Sequence, residues 1–146
     1  MTFDACVRAG QLGELARFAD RVPELTIVLD HLGKPPLGRP DVAGRPDPDW
    51  TAAVRSLAQR PNVVCKLSGL PAEARGGISL MQAAPVLDVA VDAFGDDRLV
   101  FGGDWPVSRP YAGWLELVTA WLDRSFSPAQ QDSILWSNAE RIYSLR

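Results

Sequence analysis

Short apolar runs alternate four times with segments whose apolar residues recur at helical spacing. The runs occupy residues 3–7, 25–29, 63–67 and 99–101 and are typical of buried strands. Each run is followed by a segment with apolar residues three and four positions apart, which predicts an amphipathic helix. Alternating strands and helices of this kind favour a parallel α/β sheet.

The predicted helices differ in how clearly their ends are marked. Ser127 and Pro128 begin the last helical region, with a capping serine, a proline at the first helical position and Gln130 three residues after the serine. Gly95 is a natural stop for the helix predicted over residues 79–94. The apolar positions of the other predicted helices are Leu12, Leu15, Ala16, Ala19 and Val22; Trp50, Val54, Leu57 and Ala58 in residues 50–59; and Trp114, Leu117, Val118, Trp121 and Leu122.

The fold expected from this order is one α/β domain over residues 1–146. The strands show little alternation of polar and apolar residues, which predicts that both faces of the sheet are covered. Four βα units form either a small open sheet or half of an eight-unit barrel. The periodicity does not choose between the two.

Composition and charge narrow the function classes. The chain has 146 residues, 47% of them hydrophobic, and a formal net charge of -3. Because no basic stripe with interleaved aromatic residues is present, we expect no nucleic-acid binding. No segment resembles a signal peptide or reaches the length of a membrane span, so no membrane association is expected. Cys6 and Cys65 lie in apolar runs, which predicts buried, reduced thiols and a cytoplasmic location.

The only histidine of the chain, His31, follows the second apolar run directly. A side chain placed at the end of a parallel strand faces the crevice where α/β enzymes bind ligands. His31 is therefore a candidate metal ligand or proton shuttle, although a structural role in the turn is the commoner alternative. Asp30 would either orient the imidazole or cap a turn. A long loop rich in proline and glycine follows over residues 34–48, and loops of this length usually serve a site.

Asp104 follows the fourth apolar run in a similar way. Gly102 and Gly103 precede it, and we expect them to adopt backbone shapes closed to other residues, while Trp105 and Pro106 fix the exit of the loop. A carboxylate held in this way can bind a metal or activate water. The alternative is an aspartate that only caps the loop before the proline.

Other polar residues near the strand ends are weaker candidates. Lys66, inside an apolar run, points either to solvent or into a polar pocket where it binds an anionic substrate group. Ser68 and Gly69 are interpreted as a turn, and a serine-hydrolase triad is discarded because it would have to use His31 itself. Four arginines of the predicted loops are either solvated charges, the favoured interpretation, or carboxylate clamps. They are Arg39, Arg45, Arg75 and Arg109.

Four segments together resemble the amidohydrolase-related family, and within it the hydrolases of sugar lactones and dicarboxylate lactones. The segments are residues 28–35, 65–69, 101–106 and 138–143. The resemblance implies the C-terminal half of a (β/α)8 barrel, with His31 ending the sixth strand and Asp104 the eighth. It also implies lactone hydrolysis with Asp104 as general base and His31 at the substrate carbonyl. Both would bind a divalent metal such as zinc, unless the site is metal-independent, and Lys66 and Trp105 would contact a small lactone or carboxylic acid.

The sequence departs from the family in one respect. It begins at what would be the fifth strand, so the paired histidines that open the family's site are absent. We therefore expect the half-barrel to be inactive alone and to need a homodimer partner or the missing N-terminal half. The alternative is a non-catalytic α/β module that binds a small acid.

Overall fold

A parallel sheet of four strands forms the centre of the structure, a computed structural model that describes residues 1–38, 44–74, 77–108 and 110–145. The strands are β1 (Thr2–Ala5), β2 (Thr26–Leu29), β3 (Val63–Leu67) and β4 (Leu99–Phe101). The bounds predicted for β3 and β4 are confirmed. The prediction for β1 is wrong at its end, because its ladder with β2 stops where Ala5 pairs with Leu29.

The helices within the described residues follow the predicted order. They are α1 (Leu12–Arg21), α2 (Pro48–Ala58), α3 (Leu70–Glu73), α4 (Leu80–Phe94), α5 (Tyr111–Leu122), α6 (Pro128–Asp132) and α7 (Asn138–Tyr143). A π-helical turn, Ser133–Ser137, joins α6 to α7. The short helix α3 lies in a segment that the sequence analysis assigned to a loop. No helix of the described segments is long and apolar enough to cross a membrane.

The predicted helix ends at Ser127 and Gly95 are confirmed. The Ser127 side chain accepts a hydrogen bond from the backbone of Gln130, whose own side chain accepts from the Ser127 backbone, forming a capping box. Gly95 ends α4 with a φ of 72°. This left-handed backbone costs a residue without a Cβ little.

The strand order decides between an open sheet and a barrel. The strands lie side by side in sequence order, β1-β2-β3-β4, without the reversal that a doubly wound sheet shows. Alternate strand residues, such as Ile27 and Cys65, pack in one core with helices α1, α2, α4 and α5. Residues between them, Val28, Val64 and Val100, face the opposite side. This arrangement is that of an arc cut from a (β/α)8 barrel, with the second face forming the barrel interior.

The C-terminal helix α7 covers part of that inner face, where Ile142 packs against the three valines. The Asn138 side chain donates hydrogen bonds of 2.7 and 2.8 Å to the carbonyl oxygens of Asp96 and Leu99, at the start of β4. The Tyr143 hydroxyl donates to Asp4 Oδ1 at 2.6 Å. Helix α7 therefore connects β4 to β1 across the inner face of the sheet.

Candidate active site

His31 lies at the carboxyl end of β2 in a tight left-handed turn. Its φ is 55°, and Leu32 and Lys34 have φ angles of 56° and 51°. Such backbone is uncommon for residues with a side chain and concentrates at functional sites. The Trp50 indole of α2 donates a buried hydrogen bond of 2.8 Å to the Leu32 carbonyl, which holds the turn.

Asp104 lies at the carboxyl end of β4 and has a similar backbone conformation, with a φ of 50°. Its Oδ2 accepts a hydrogen bond of 2.7 Å from the hydroxyl of Ser108, a residue only 1% exposed. The Trp114 indole of α5 donates to the Gly102 carbonyl at 3.0 Å. Both candidate residues are thus carried on loops fixed by a helix tryptophan.

The predicted role of the two glycines before Asp104 is wrong. Neither Gly102 nor Gly103 is among the glycines with positive φ; the left-handed residue of this loop is Asp104 itself. What the loop requires is space, because a Cβ at Gly103 would lie 2.5 Å from the Tyr111 ring and one at Gly102 would lie 3.1 Å from the Lys66 side chain.

His31 and Asp104 come together although β3 lies between their strands. His31 Nε2 lies 3.7 Å from Asp104 Oδ1, and the two side chains are 19% and 12% exposed. On the other side of the imidazole, His31 Nδ1 lies 2.8 Å from Ser68 Oγ. Ser68, His31 and Asp104 therefore form a line that runs from the interior toward the site. Of the three, His31 and Asp104 lie nearer the solvent, and both side chains are partly exposed.

Ser68 is a residue of the candidate site that the sequence analysis interprets only as part of a turn. It is 1% exposed, so its hydroxyl is not presented to a substrate and is suited to orient His31 rather than to act as a nucleophile. Gly69 follows with a φ of 76°, and a Cβ there would lie 2.7 Å from three atoms of His31. The signal was present in the position of both residues directly after β3.

Lys66 is half-buried on the inner face of the sheet and contacts two carboxylates. Its Nζ lies 2.7 Å from Asp30 Oδ1 and 3.3 Å from Asp4 Oδ1. Burial alone lowers the pKa of Lys66, but the interactions with Asp30 and Tyr143 outweigh it and raise the net pKa above its usual value. The Lys66 side chain is thus a stable ammonium, and the Asp30 carboxylate balances its positive charge. This role differs from both interpretations given to Asp30 above, orienting the imidazole or capping a turn.

The two cysteines differ in their environments. Cys65 is buried as predicted, and burial raises the pKa of its thiol. The prediction that Cys6 is buried is wrong: it follows the last paired residue of β1 and is exposed. The Cys6 sulfur, an Asp30 carboxylate oxygen and a His31 ring nitrogen all lie within 4.8 Å of one another.

The remaining predicted site residues lie around this pair. Trp105 directly follows Asp104 and is 73% exposed. Arg45 lines a cleft of about 800 Å³ together with Arg8, Lys34 and Glu73, to one side of His31 and Asp104, which do not line it. Arg39, Arg75 and Arg109 lie outside the described residues.

Comparison with known proteins decides the family. The family model described as Amidohydrolase matches residues 1–145. The chain belongs to the amidohydrolase family. The predicted fold class, α/β units of half a (β/α)8 barrel, and the resemblance to the lactone-hydrolase branch are both confirmed.

Proteins similar to this amidohydrolase chain include two L-fucono-1,5-lactonases. The one from Burkholderia ambifaria is 38% identical over 99% of this chain and 50% of its own length, and the one from Burkholderia multivorans is 40% identical over 98% and 51%. A crystal structure of an amidohydrolase from Burkholderia multivorans with bound zinc superposes with a TM-score of 0.89 at 38% identity, over 99% of this chain and 53% of that one. The chain thus spans about half the length of these relatives.

Proposed function

We propose that residues 1–146 are the four C-terminal βα units of an amidohydrolase that opens a lactone of a sugar acid. The observation that carries the proposal is the approach of Asp104 Oδ1 to His31 Nε2, 3.7 Å apart at the carboxyl ends of β4 and β2. In (β/α)8 enzymes the reacting groups lie at this end of the strands. Two relatives of 38% and 40% identity are L-fucono-1,5-lactonases, which supports a sugar-acid lactone rather than a dicarboxylate lactone.

In the proposed reaction Asp104 is the general base. Its Oδ2 accepts from Ser108, which leaves Oδ1 facing His31 and able to take a proton from water. The water oxygen forms a bond to the lactone carbonyl carbon, and the bond from that carbon to the ring oxygen breaks. Asp104 returns the proton to the ring oxygen, so the product is the open hydroxy acid and the carboxylate is regenerated.

His31 is the group that binds near the carbonyl. Ser68 holds Nδ1, so Nε2 is the nitrogen directed at the site. When no metal is bound, an N–H at Nε2 donates to the carbonyl oxygen and stabilises the negative charge that develops there; when a metal is bound at Nε2, the metal takes over this role. Trp105 and Lys66 complete the proposed substrate contacts; Lys66 acts through the charge of its ammonium, because its nitrogen already pairs with Asp30 and Asp4.

The donor set of the site fits a divalent metal such as zinc. Nitrogen and oxygen ligands at about 2.1 Å from a tetrahedral zinc ion lie about 3.4 Å apart. His31 Nε2 and Asp104 Oδ1 are 3.7 Å apart, close to that separation. We propose these two atoms as ligands. When bound, the metal would supply a Lewis acid that polarises the lactone carbonyl.

The sheet edges indicate what completes the site. β1 and β4 each pair on one side only within the described sheet. Beside β1, Phe3 and Phe18 stack edge to face while 46% and 38% exposed. Unpaired edges and exposed aromatic rings favour association. We propose that a complementary half-barrel, either a second copy of this chain or an N-terminal half, covers both edges and that the isolated half is inactive.

The cytoplasmic location stays a prediction.

The test is lactone hydrolysis by the chain alone and together with the N-terminal half of the Burkholderia multivorans lactonase. Proton release from L-fucono-1,5-lactone reports the reaction. We expect activity only in the mixture and its loss on Asp104→Asn. Activity of the chain alone contradicts the need for a partner. A mixture that assembles, binds the lactone and does not hydrolyse it supports the alternative, a small-acid binding module, and overturns the proposed reaction.

A further inference from the structure

The proposed reaction does not use the cleft of about 800 Å³ that lies to one side of His31 and Asp104. The cleft forms where the segments after three neighbouring strands meet, because Arg8 follows β1, Lys34 follows β2 and Glu73 follows β3. Pockets that bind small molecules typically enclose about 300–1,000 Å³. The cleft is therefore large enough for a ligand of its own.

The cleft carries a surplus of positive charge. Its described lining includes three cations and two carboxylates, which are Arg8, Lys34, Arg45, Asp47 and Glu73. The Asp47 carboxylate already accepts a hydrogen bond of 2.8 Å from a backbone N–H in the first turn of α2. The whole chain has a formal net charge of -3, so the cleft is opposite in sign to the molecule. A ligand with a negative charge is favoured there.

The contacts between Glu73 and two of the cations are long. Glu73 Oε1 lies 3.9 Å from Lys34 Nζ, and Glu73 Oε2 lies 3.9 Å from Arg8 Nη1. Both distances exceed that of a hydrogen bond, so these N–H donors stay available to a ligand. The Lys34 side chain is 21% exposed and that of Arg8 is 72% exposed. An anion at Lys34 is therefore less screened by salt than one at the surface.

We propose that the cleft binds the anion of a small polyhydroxy acid, the chemical class of the product of the proposed reaction. The ammonium of Lys34 and the guanidinium groups of Arg8 and Arg45 bind its carboxylate, because charged donors form the strongest hydrogen bonds with such a group. The side-chain amide of Gln82, which also lines the cleft, binds hydroxyl groups. The choice of acid rests on the proposed function, whereas the cleft and its charge do not.

The loop after β2 forms one wall of the cleft through its described residues, 34–38 and 44–47. Its length predicts that it serves a site. The same loop supplies Lys34 and Arg45, and Arg45 is exposed at the cleft. Of the two interpretations open for Arg45, the position favours the carboxylate clamp over the solvated charge.

The other walls suit a ligand with both hydroxyl groups and C–H surfaces. Gly10, Gly38 and Gly77 line the cleft, and a Cβ added at any of them would meet nothing within 4 Å. Backbone N–H and C=O groups are therefore accessible to hydroxyls at these positions. Ile78 and Val86 add apolar surface. Few polar groups among apolar walls are typical of small-molecule sites.

The test is calorimetric titration of the 146-residue chain with L-fuconate, the acid formed when L-fucono-1,5-lactone opens. Acetate carries the carboxylate without the hydroxyl groups, and L-fucitol carries the hydroxyl groups without the charge. We expect L-fuconate to bind at least about tenfold more tightly than either compound. Equal binding of acetate, equal binding of L-fucitol, or no binding of L-fuconate would each overturn the proposal.

Two variants locate the binding, because they should change the affinity for L-fuconate in opposite directions. Arg45→Gln loses a cation and should bind about tenfold more weakly. Glu73→Gln keeps the size and removes a charge that repels the acid, so it should bind at least about twofold more tightly. Circular dichroism checks that each variant is folded.

Arg55→Gln is the matched control. Arg55 is an exposed arginine of α2 that does not line the cleft, and it also lies 3.9 Å from a carboxylate, that of Asp92. We expect Arg55→Gln to bind L-fuconate as the wild type does. Equal affinities of Arg45→Gln and Arg55→Gln, or weaker binding by Glu73→Gln, would overturn the assignment to the cleft.

Failure of this inference is distinguishable from failure of the proposed function. Binding of L-fuconate is measured on the chain alone and needs neither an N-terminal half nor hydrolysis. Binding that depends on Arg45, with no lactone hydrolysis by the assembled mixture, would support the cleft and overturn the proposed reaction. Hydrolysis by the mixture without binding of L-fuconate in the cleft would do the reverse.

Discussion

The hydroxyl of Ser68 lies 2.8 Å from Nδ1 of His31, on the side of the ring opposite Asp104. The order of the three side chains resembles a hydrolase triad, but the exposure is reversed. Ser68 is buried and Asp104 is in reach of solvent. The position of the aspartate at the open end is what a water-activating base requires.

Replacement of Ser68 by alanine tests the orienting role. The imidazole loses its partner at Nδ1, so its ring and tautomer are no longer fixed. We expect lactone hydrolysis by the mixed half-barrels to fall by about 10- to 100-fold with the fold intact. The control is Ser56→Ala, at an exposed serine of α2. Equal activity of Ser68→Ala and wild type would show that His31 needs no such partner.

Gly69→Ala tests how closely the β3 loop supports His31. The added Cβ would lie 2.7 Å from His31 Cβ, Cγ and Nδ1, and the ring must move. Gly77→Ala is a matched control, because Gly77 also has a positive φ but has nothing within 4 Å of the added Cβ. We expect both variants to lose stability and only Gly69→Ala to lose most hydrolysis. Equal activity losses in the two would assign the effect to backbone strain alone.

Asn138→Ala tests the attachment of α7. The side chain is 5% exposed and donates to two backbone carbonyls, which become unpaired when it is removed. We expect the free energy of unfolding to fall by about 2–3 kcal/mol, measured by urea denaturation. Asn138→Asp, which keeps the size and loses the donor, should destabilise the chain to a similar degree. A change below about 0.5 kcal/mol, the range of neutral surface substitutions, would contradict this account.

The buried thiol of Cys65 predicts a loss of stability at alkaline pH. Burial raises the pKa of this thiol in the folded chain above its usual value of 9.0, so the unfolded chain loses the proton first. Stability is therefore fully present below pH 9.0 and falls above it, by about 1.4 kcal/mol for each further pH unit. Lys66 does not contribute to this loss of stability. Its pKa is raised in the folded chain, so the side chain stays charged in both the folded and the unfolded chain below the usual pKa of 10.5.

Urea denaturation between pH 8 and pH 10 measures this slope. Cys65→Ala should unfold more easily at every pH but should lack the decline. In the folded wild type, iodoacetamide should modify the exposed Cys6 and leave Cys65 unmodified until urea is added. An identical pH slope in Cys65→Ala and wild type would refute the assignment.

The sequence predicted His31 and Asp104 because each follows an apolar run, and the carboxyl ends of parallel strands lie at one edge of a sheet. It did not predict Ser68, although this residue also follows an apolar run directly, because a serine before a glycine is equally typical of a turn. It misplaced Cys6, because the end of β1 depends on how far β2 continues beside it. The positive φ of Asp104 was assigned to the glycines, whose actual requirement, space beside Tyr111, arises only in the packed structure.

The spacing of apolar residues also does not distinguish an open sheet from a barrel. Both architectures bury the same apolar strands against the same helices. The difference lies in strand order and in what covers the second face. Here the order is sequential, and Ile142 of α7 covers the valines of the inner face.

The central claim is that Asp104 is the general base of a lactone hydrolase, and Asp104→Asn tests it most directly. The amide keeps the size and the contact with Ser108 but cannot take a proton from water. With the N-terminal half supplied, and Asp49→Asn as the exposed control, we expect kcat for L-fucono-1,5-lactone to fall by about 10²- to 10⁴-fold. Hydrolysis by Asp104→Asn at the rate of the control would contradict the account.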